Sequence, residues 1–556
     1  MNAAPAESRV GSAPSGRPLL LSLALALAAQ WPGLTNPFVV NDDVRQQLFW
    51  MRRWLDPALY PPDLLNGYAQ HYVTWGVQAL YRAAAFLGIG PLFCSKLVAV
   101  GLLAWLGTLL FAMARRLGGA WAAWTTLAVY GLMPGFAANI SGGLNRAFAA
   151  PLLALFLLAL LRGSQNLARA ALLAQALFIP YILLPSLGLC GLWWTAWKVR
   201  LVRTPPVLGT GKAAWLDLAC AALALGLAVA WQSGLTAYGP LPWAADMAGR
   251  PEFGPDGRFA ILPVPPLWWE LFARPWELIA PFRDGSPWLG ITVTALLLPL
   301  LFLGLRDLDR DRLKPALPAL GCLLLASVLL YFAARILLFK LFVPSRYLEY
   351  TTNILYCLGL GLSLAPLTRS LARGSAKAGL VLLLAAALLG AWRLSGTALY
   401  DYSGDAALYA AVQKSPKNAM FAGHPTLMDN VLTFGERNVY ASFELAHPWN
   451  AAYWSQVAPR LERLFRAYYA EDKAELVRFC AEEGVDFLVA DRRHFSRTFL
   501  DHAPFFAPFD RFIQEAAAHG NFAVLGQDLP RIPIDANIFM LDMRDGSSGE
   551  NRAPGS

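Results

Sequence analysis

Charge is scarce in this 556-residue chain: 15% of its residues are Asp, Glu, Lys or Arg, against about 25% in an ordinary soluble domain. With 56% hydrophobic residues, that deficit excludes a freely soluble protein and calls for a lipid solvent. Cysteine is scarce too. Of six cysteines, Cys94, Cys190, Cys220, Cys322 and Cys357 fall in or beside apolar segments, and only Cys480 lies in the C-terminal part. That distribution excludes a disulfide framework. Acidic residues are nearly missing from the apolar runs, which argues against a transporter or flippase, whose path needs intramembrane polar groups.

What is present is a series of apolar runs near the length, about 20 residues, that spans a bilayer. Eleven are read, at 18–34, 91–113, 119–136, 147–161, 167–184, 185–199, 214–232, 289–305, 315–333, 349–366 and 378–394. No small-residue cleavage pattern follows the first, so it is expected to be a retained helix. Lys and Arg cluster in alternate connections, as in Arg115-Arg116, Lys198 to Arg203, Arg306 to Lys314 and Arg369 to Lys377. The short connections on the opposite side hold only Arg146, Arg335, Lys340 and Arg346. This bias predicts a cytoplasmic N-terminus (1–17), a polytopic α-helical body (18–394) and a C-terminal part outside the cytoplasm. The net charge of +9 is then a topological signal, and no nucleic-acid partner is expected.

Three outer stretches are too long to be plain connectors: 35–90, 233–288 and everything beyond 394. In the first, apolar residues from Val44 to Leu55 recur at helical spacing, Pro57, Pro61 and Pro62 interrupt, and a second amphipathic stretch follows. The second is rich in Trp, Pro and Gly, with Trp268, Trp269 and Trp276 suited to a membrane interface. From 395 to 543, helical patterns alternate with short apolar strands such as "VDFLVAD" and "NIFMLDMR", which predicts a small α/β domain. Residues 544–556 have a disordered composition.

Chemistry is expected at "NDDVRQQLFW". Asp42 or Asn41 can cap the helix that follows, but two adjacent carboxylates repel, so capping alone does not account for both. A carboxylate at the membrane boundary can instead act as a general base. Asp43 is favoured for that role and Asp42 for the cap. An anionic leaving group would need cations, and Arg146 in "SGGLNRAFAAP" and Arg346 in "LFVPSRYLEY" stand on the side where cations are scarce. Arg45, Tyr347 and His71 complete the substrate-binding candidates. The sequence establishes no cofactor, although Asp42, Asp43 and His71 could hold Mg²⁺ or Mn²⁺ together with Asp246, Glu252 or Asp256.

An apolar first span, an acidic pair early in a long outer loop, a polytopic body and an outer α/β domain together resemble the GT-C glycosyltransferase superfamily. That superfamily includes oligosaccharyltransferases, protein mannosyltransferases and lipid A aminoarabinose transferases. The segment "NDDVRQQLFWMRRWLDPALYPPDLL" is similar to a bacterial branch of it. The resemblance implies inverting transfer of a sugar from a polyprenyl-phosphate donor to a lipid, glycan or protein acceptor. It also implies a plasma-membrane (in bacteria, inner-membrane) location, with Asp42 or Asp43 as base and Arg346 at the lipid phosphate. The tail lacks a WWD-type motif, which argues against transfer to Asn-X-Ser/Thr sites. The nearest rivals are a surface-polysaccharide polymerase or ligase and a non-enzymatic transporter or assembly protein for lipid-linked glycans.

Overall fold

The computed structural model describes residues 16–260, 264–273, 299, 310–341, 343–502 and 504–544. Five helices among them are long and apolar enough to cross a membrane: Arg17–Thr35, Pro91–Gly131, Asn145–Arg162, Ala214–Gly234 and Leu317–Leu337. Helices also stand at Gln165–Phe178, Pro180–Lys198, Pro344–Gly374 and Ala376–Leu394, so every expected span within the described residues is helical. The run expected at 289–305 lies outside them, apart from Pro299, as do Trp276 and the tail from 545.

Pro91–Gly131 covers two of the expected spans. Its 41 residues would reach about 60 Å if straight, twice the hydrocarbon thickness, so the chain must turn. It does so at Gly119, whose φ of 82° and ψ of −166° suit a residue without a side chain. The helices pack through small residues. Gly361 lies against Thr126 so closely that any Cβ would collide, which brings Pro344–Gly374 onto Pro91–Gly131.

The tail beyond Leu394 is built on a five-stranded mixed sheet. Numbering the strands along the whole chain, β1 is Val39–Val40, β2 Tyr400–Asp401, β3 Met420–Gly423, β4 Asn438–Val439, β5 Phe487–Asp491, β6 Arg531–Pro533 and β7 Ile538–Asp542. The large sheet runs β4-β3-β5-β7-β6, parallel from β4 to β5 and antiparallel beyond. Its central strand β5 is buried along its whole length, as "FLVAD" foretells. The apolar stretch "FAVLGQ" forms a single tight turn at Ala523–Leu525 rather than a strand.

What positions the site is how the first outer loop docks under this tail. β1 pairs antiparallel with β2, Val39 opposite Asp401 and Val40 opposite Tyr400. Two residues later the chain turns into Val44–Gln47, then into a tighter turn at Phe49–Trp54. Phe49, Trp50 and Met51 are buried. The expected interfacial helix is therefore two short pieces covered by protein. Tyr60 donates to Leu432 O at 2.7 Å, and Asn66 donates to Asn438 Oδ1 at 2.9 Å. Loop and tail thus share one polar and apolar interior.

Candidate active site

The aspartates lie where three chain segments meet. Asn41 holds the approach: its Nδ2 donates to Ala398 O at 2.9 Å, and its Oδ1 accepts from Arg146 Nη2 at 3.1 Å. Asp43 occupies the N-cap position of Val44–Gln47, yet neither aspartate side chain caps that helix. The Asp43 carboxylate is used elsewhere. Its Oδ2 is 2.6 Å from Arg146 Nη1, and its Oδ1 accepts from Gln46 Nε2 at 2.9 Å. The cap expected of Asp42 does not form, because the turn begins one residue later.

Arg146 is delivered by the turn "SGGLN". Gly143 has φ +62°, and a Cβ there would come within 2.5 Å of Ser95 O and 2.9 Å of the Tyr81 hydroxyl. Only glycine fits. Gly143→Ala is expected to cost about 1–2 kcal/mol from the left-handed backbone alone, plus the collision. It should lower both the thermal unfolding midpoint and turnover, since it displaces Arg146.

A cavity of ≈ 370 Å³ opens beside this ion pair, and Asp42, Asp43, Arg146 and Arg346 all line it. Arg346 donates from Nη1 to Asn139 Oδ1 at 3.0 Å and to Glu349 Oε2 at 2.9 Å, which fixes its guanidinium at the cavity wall. Arg45, Tyr347 and His71 do not line it. Arg45 is drawn into the tail, with Nη2 3.1 Å from Glu444 Oε1 and Nη1 3.0 Å from Asn430 Oδ1. Tyr347 turns into a narrow crevice behind Arg346, where its hydroxyl donates to Leu341 O. His71 is exposed and satisfied locally, its Nδ1 2.7 Å from Gly67 O. The set expected for a divalent cation does not assemble: among the described residues no three His, Cys, Asp or Glu side chains group as a metal site needs. Glu252 instead accepts from Trp454 Nε1 at 3.2 Å, and Asp246 caps Trp243 N at 2.9 Å.

The structure adds residues that the sequence reading passed over. Arg258 of the second outer loop reaches the cavity, its Nη2 3.2 Å from Glu444 Oε2 and its Nε 3.0 Å from Phe443 O. His447 and Asn450 enter from the tail. Asn450 Nδ2 donates to the Tyr68 hydroxyl at 2.7 Å, and that hydroxyl is hydrogen-bonded to His447 Nδ1 at 2.8 Å. Burial and nearby Arg258 keep the imidazole neutral, well below its ordinary pKa. Burial pushes Tyr72, also on the cavity wall, up to about 12.

The two aspartates have different electrostatics. Asp42 is raised above the ordinary carboxylate value, first by burial and then by the Asp43 charge, with Arg146 opposing. Asp42 forms no salt bridge among the described residues, whereas Asp43 is tied to Arg146. Five buried atoms on cavity residues find no hydrogen-bond partner among the described residues: Gln46 Oε1, Gln47 Oε1, Asn450 Oδ1, Arg146 Nε and Trp231 Nε1. Buried polar atoms are ordinarily satisfied, so a cluster of exceptions in one cavity marks a place for a polar ligand or for water.

No protein-family model matches the chain, and no curated protein matches it in sequence. Solved structures do match in fold. ArnT from Cupriavidus metallidurans bound to undecaprenyl phosphate aligns over 97% of this chain and 100% of its own, with a TM-score of 0.53 and 15% identity. The arabinofuranosyltransferase AftD from Mycobacteria aligns over 96% of this chain and 40% of its own, with a TM-score of 0.54 and 17% identity. The chain has the GT-C fold. The apo oligosaccharyltransferase of Archaeoglobus fulgidus extends the likeness, at TM-score 0.50 and 13% identity over 90% of this chain and 72% of that one. In this GT-C fold the acidic pair, Arg146, Arg258, Arg346 and the tail share one cavity.

Proposed function

We propose that the protein is a glycosyltransferase that moves a sugar from a polyprenyl-phosphate donor to an acceptor hydroxyl or amine on the extracytoplasmic face. The observation that carries this reading is the convergence of Asp42, Asp43, Arg146, Arg258 and Arg346, from separate segments, on one cavity. The crevice behind Arg346, lined by Leu153, Ile182, Pro185 and Tyr347, puts apolar surface next to a cation. ArnT, which shares the fold, is known bound to undecaprenyl phosphate. The Lys/Arg bias of the loops supports an outward-facing tail and a cytoplasmic N-terminus.

In the reaction the acceptor heteroatom attacks the anomeric carbon from the face opposite the phosphate. The bond from that carbon to the phosphate oxygen breaks, and its electron pair leaves with polyprenyl phosphate, so the configuration inverts. Arg346 and Arg258 meet the developing phosphate charge. The acceptor proton passes to a carboxylate. We assign that role to Asp42, reversing the preference drawn from the sequence. Asp43 is engaged by Arg146 at 2.6 Å, whereas Asp42 has no such partner among the described residues and burial raises its proton affinity. Asp43 then orients Arg146.

The test is release of free polyprenyl phosphate when the purified full-length protein, in lipid nanodiscs, is offered a panel of undecaprenyl-phosphate sugars with cell-envelope lipid as acceptor. Arg346→Ala should weaken donor binding roughly tenfold to a hundredfold, since a charge-assisted hydrogen bond is worth about 1.5–3 kcal/mol. No release from any sugar, together with unchanged donor binding in Arg346→Ala, would remove this reading.

A further inference from the structure

A second cavity, of ≈ 420 Å³, shares no lining residue with the first. Its walls come from the end of Arg17–Thr35, the Phe49–Trp54 turn, the start of Pro91–Gly131 and the tail. Lys96 lines it although the residue is only 3% exposed. Its ammonium donates to Asn36 O at 2.9 Å and Pro37 O at 3.4 Å, and it has no salt bridge among the described residues. Two carbonyl dipoles leave most of a full buried charge uncompensated.

Arg52 adds a second cation. Its guanidinium lies over Gly90, where a Cβ would come within 2.9 Å of Nη1. Gly90 is the N-cap of Pro91–Gly131, and Leu92 and Phe93 of that first turn also line the cavity. A helix start carries about half a positive charge on its free amides, so it repels cations and attracts anions. Two cations have nevertheless been gathered there. Glu436, 2.9 Å from Arg52 Nε, offsets one of them. The lining keeps a net positive charge, because Glu436 is the one acid among the described residues that form it.

The rest of the wall is apolar, including Phe49 and Phe93, and Phe93 is half exposed. Phe86 and Leu87, just upstream, are 91% and 74% exposed, which suits contact with lipid. We propose that this cavity binds a phosphate group carried by a membrane lipid, held by Lys96, Arg52 and the amides of the helix start, and separate from the donor site. A lipid held there would fix the first outer loop against the membrane.

Native mass spectrometry of the full-length protein, titrated with phosphatidylglycerol, diacylglycerol or inorganic phosphate, tests this. The expected result is a phosphatidylglycerol adduct that Lys96→Met and Arg52→Gln each weaken about tenfold or more, and that Lys96→Arg and Arg346→Ala retain. Retention in Arg346→Ala separates it from lipid in the donor cavity. Arg52 is partly exposed, so Arg52→Gln reports even where Lys96→Met fails to fold. Displacement of the lipid by inorganic phosphate would identify a soluble source and still support the phosphate site. Equal phosphatidylglycerol affinity in the wild type, Arg52→Gln and Lys96→Met, or no preference over diacylglycerol, would overturn the proposal.

Discussion

Asp42→Asn is expected to lower turnover about 10²–10⁴-fold, the usual contribution of a general base, while the protein still binds the donor lipid. The pH profile gives a sharper version of the same test. A base works when deprotonated, so activity should fall as pH drops through the folded pKa of Asp42. That limb should lie above the ordinary aspartate range near 3.9, because burial and the Asp43 charge both raise it. Asp43→Asn removes one of those two causes. Its acid limb should therefore move to lower pH, with a smaller loss of turnover that reflects a loosened Arg146. If Asp43→Asn is the inactive variant and Asp42→Asn retains the wild-type profile, the roles are exchanged and the ion-paired carboxylate is the base after all.

How far the site could be read from the sequence depended on how unusual each residue was in its surroundings. Two adjacent carboxylates beside an apolar span, and arginines in loops otherwise poor in cations, stand out against a background of 15% charge. Asp42, Asp43, Arg146 and Arg346 were found that way, and all four line the cavity. Arg258, Glu444 and His447 sit in polar stretches where a charge is unremarkable, and only the three-dimensional docking of loop and tail brings them to the same wall. Arg45 was misplaced for the complementary reason. Its position next to the aspartates suggested a ligand contact, but the carboxylates that claim it lie some 400 residues away in sequence. The spans followed from apolar run length, whereas the fusion of two of them at Gly119 depends on a backbone angle that composition does not encode.

Arg45→Met is expected to destabilise the docking of the tail by about 3–5 kcal/mol, the usual cost of removing one partner from a buried ion cluster. Arg45 and Arg258 meet Glu444 at 3.1 and 3.2 Å, and Asp429 lies 3.9 Å from Arg45. The four charges come from the first loop, the second loop and the tail, so they join three of the segments that build the cavity. Arg45 also lies 4.3 Å from the Tyr402 ring centroid, just past β2. Without it, Glu444 and Asp429 are left buried with Arg258 as the remaining cation. Burial, reinforced by the Asp429 charge, already raises Glu444 above the ordinary carboxylate value. For an acid raised in this way, the favourable contribution to folding is present below its unfolded pKa, near 4.3, and is lost as pH rises through the folded value. Removing Arg45 raises that value further. The stability gap between Arg45→Met and the wild type should therefore be widest near neutral pH and narrow on acidification. Limited proteolysis of the tail, followed across pH, measures it directly. Because Arg45 is two residues from Asp43, turnover should fall with docking. A variant that resists proteolysis like the wild type at every pH would show that the cluster does not clasp the tail.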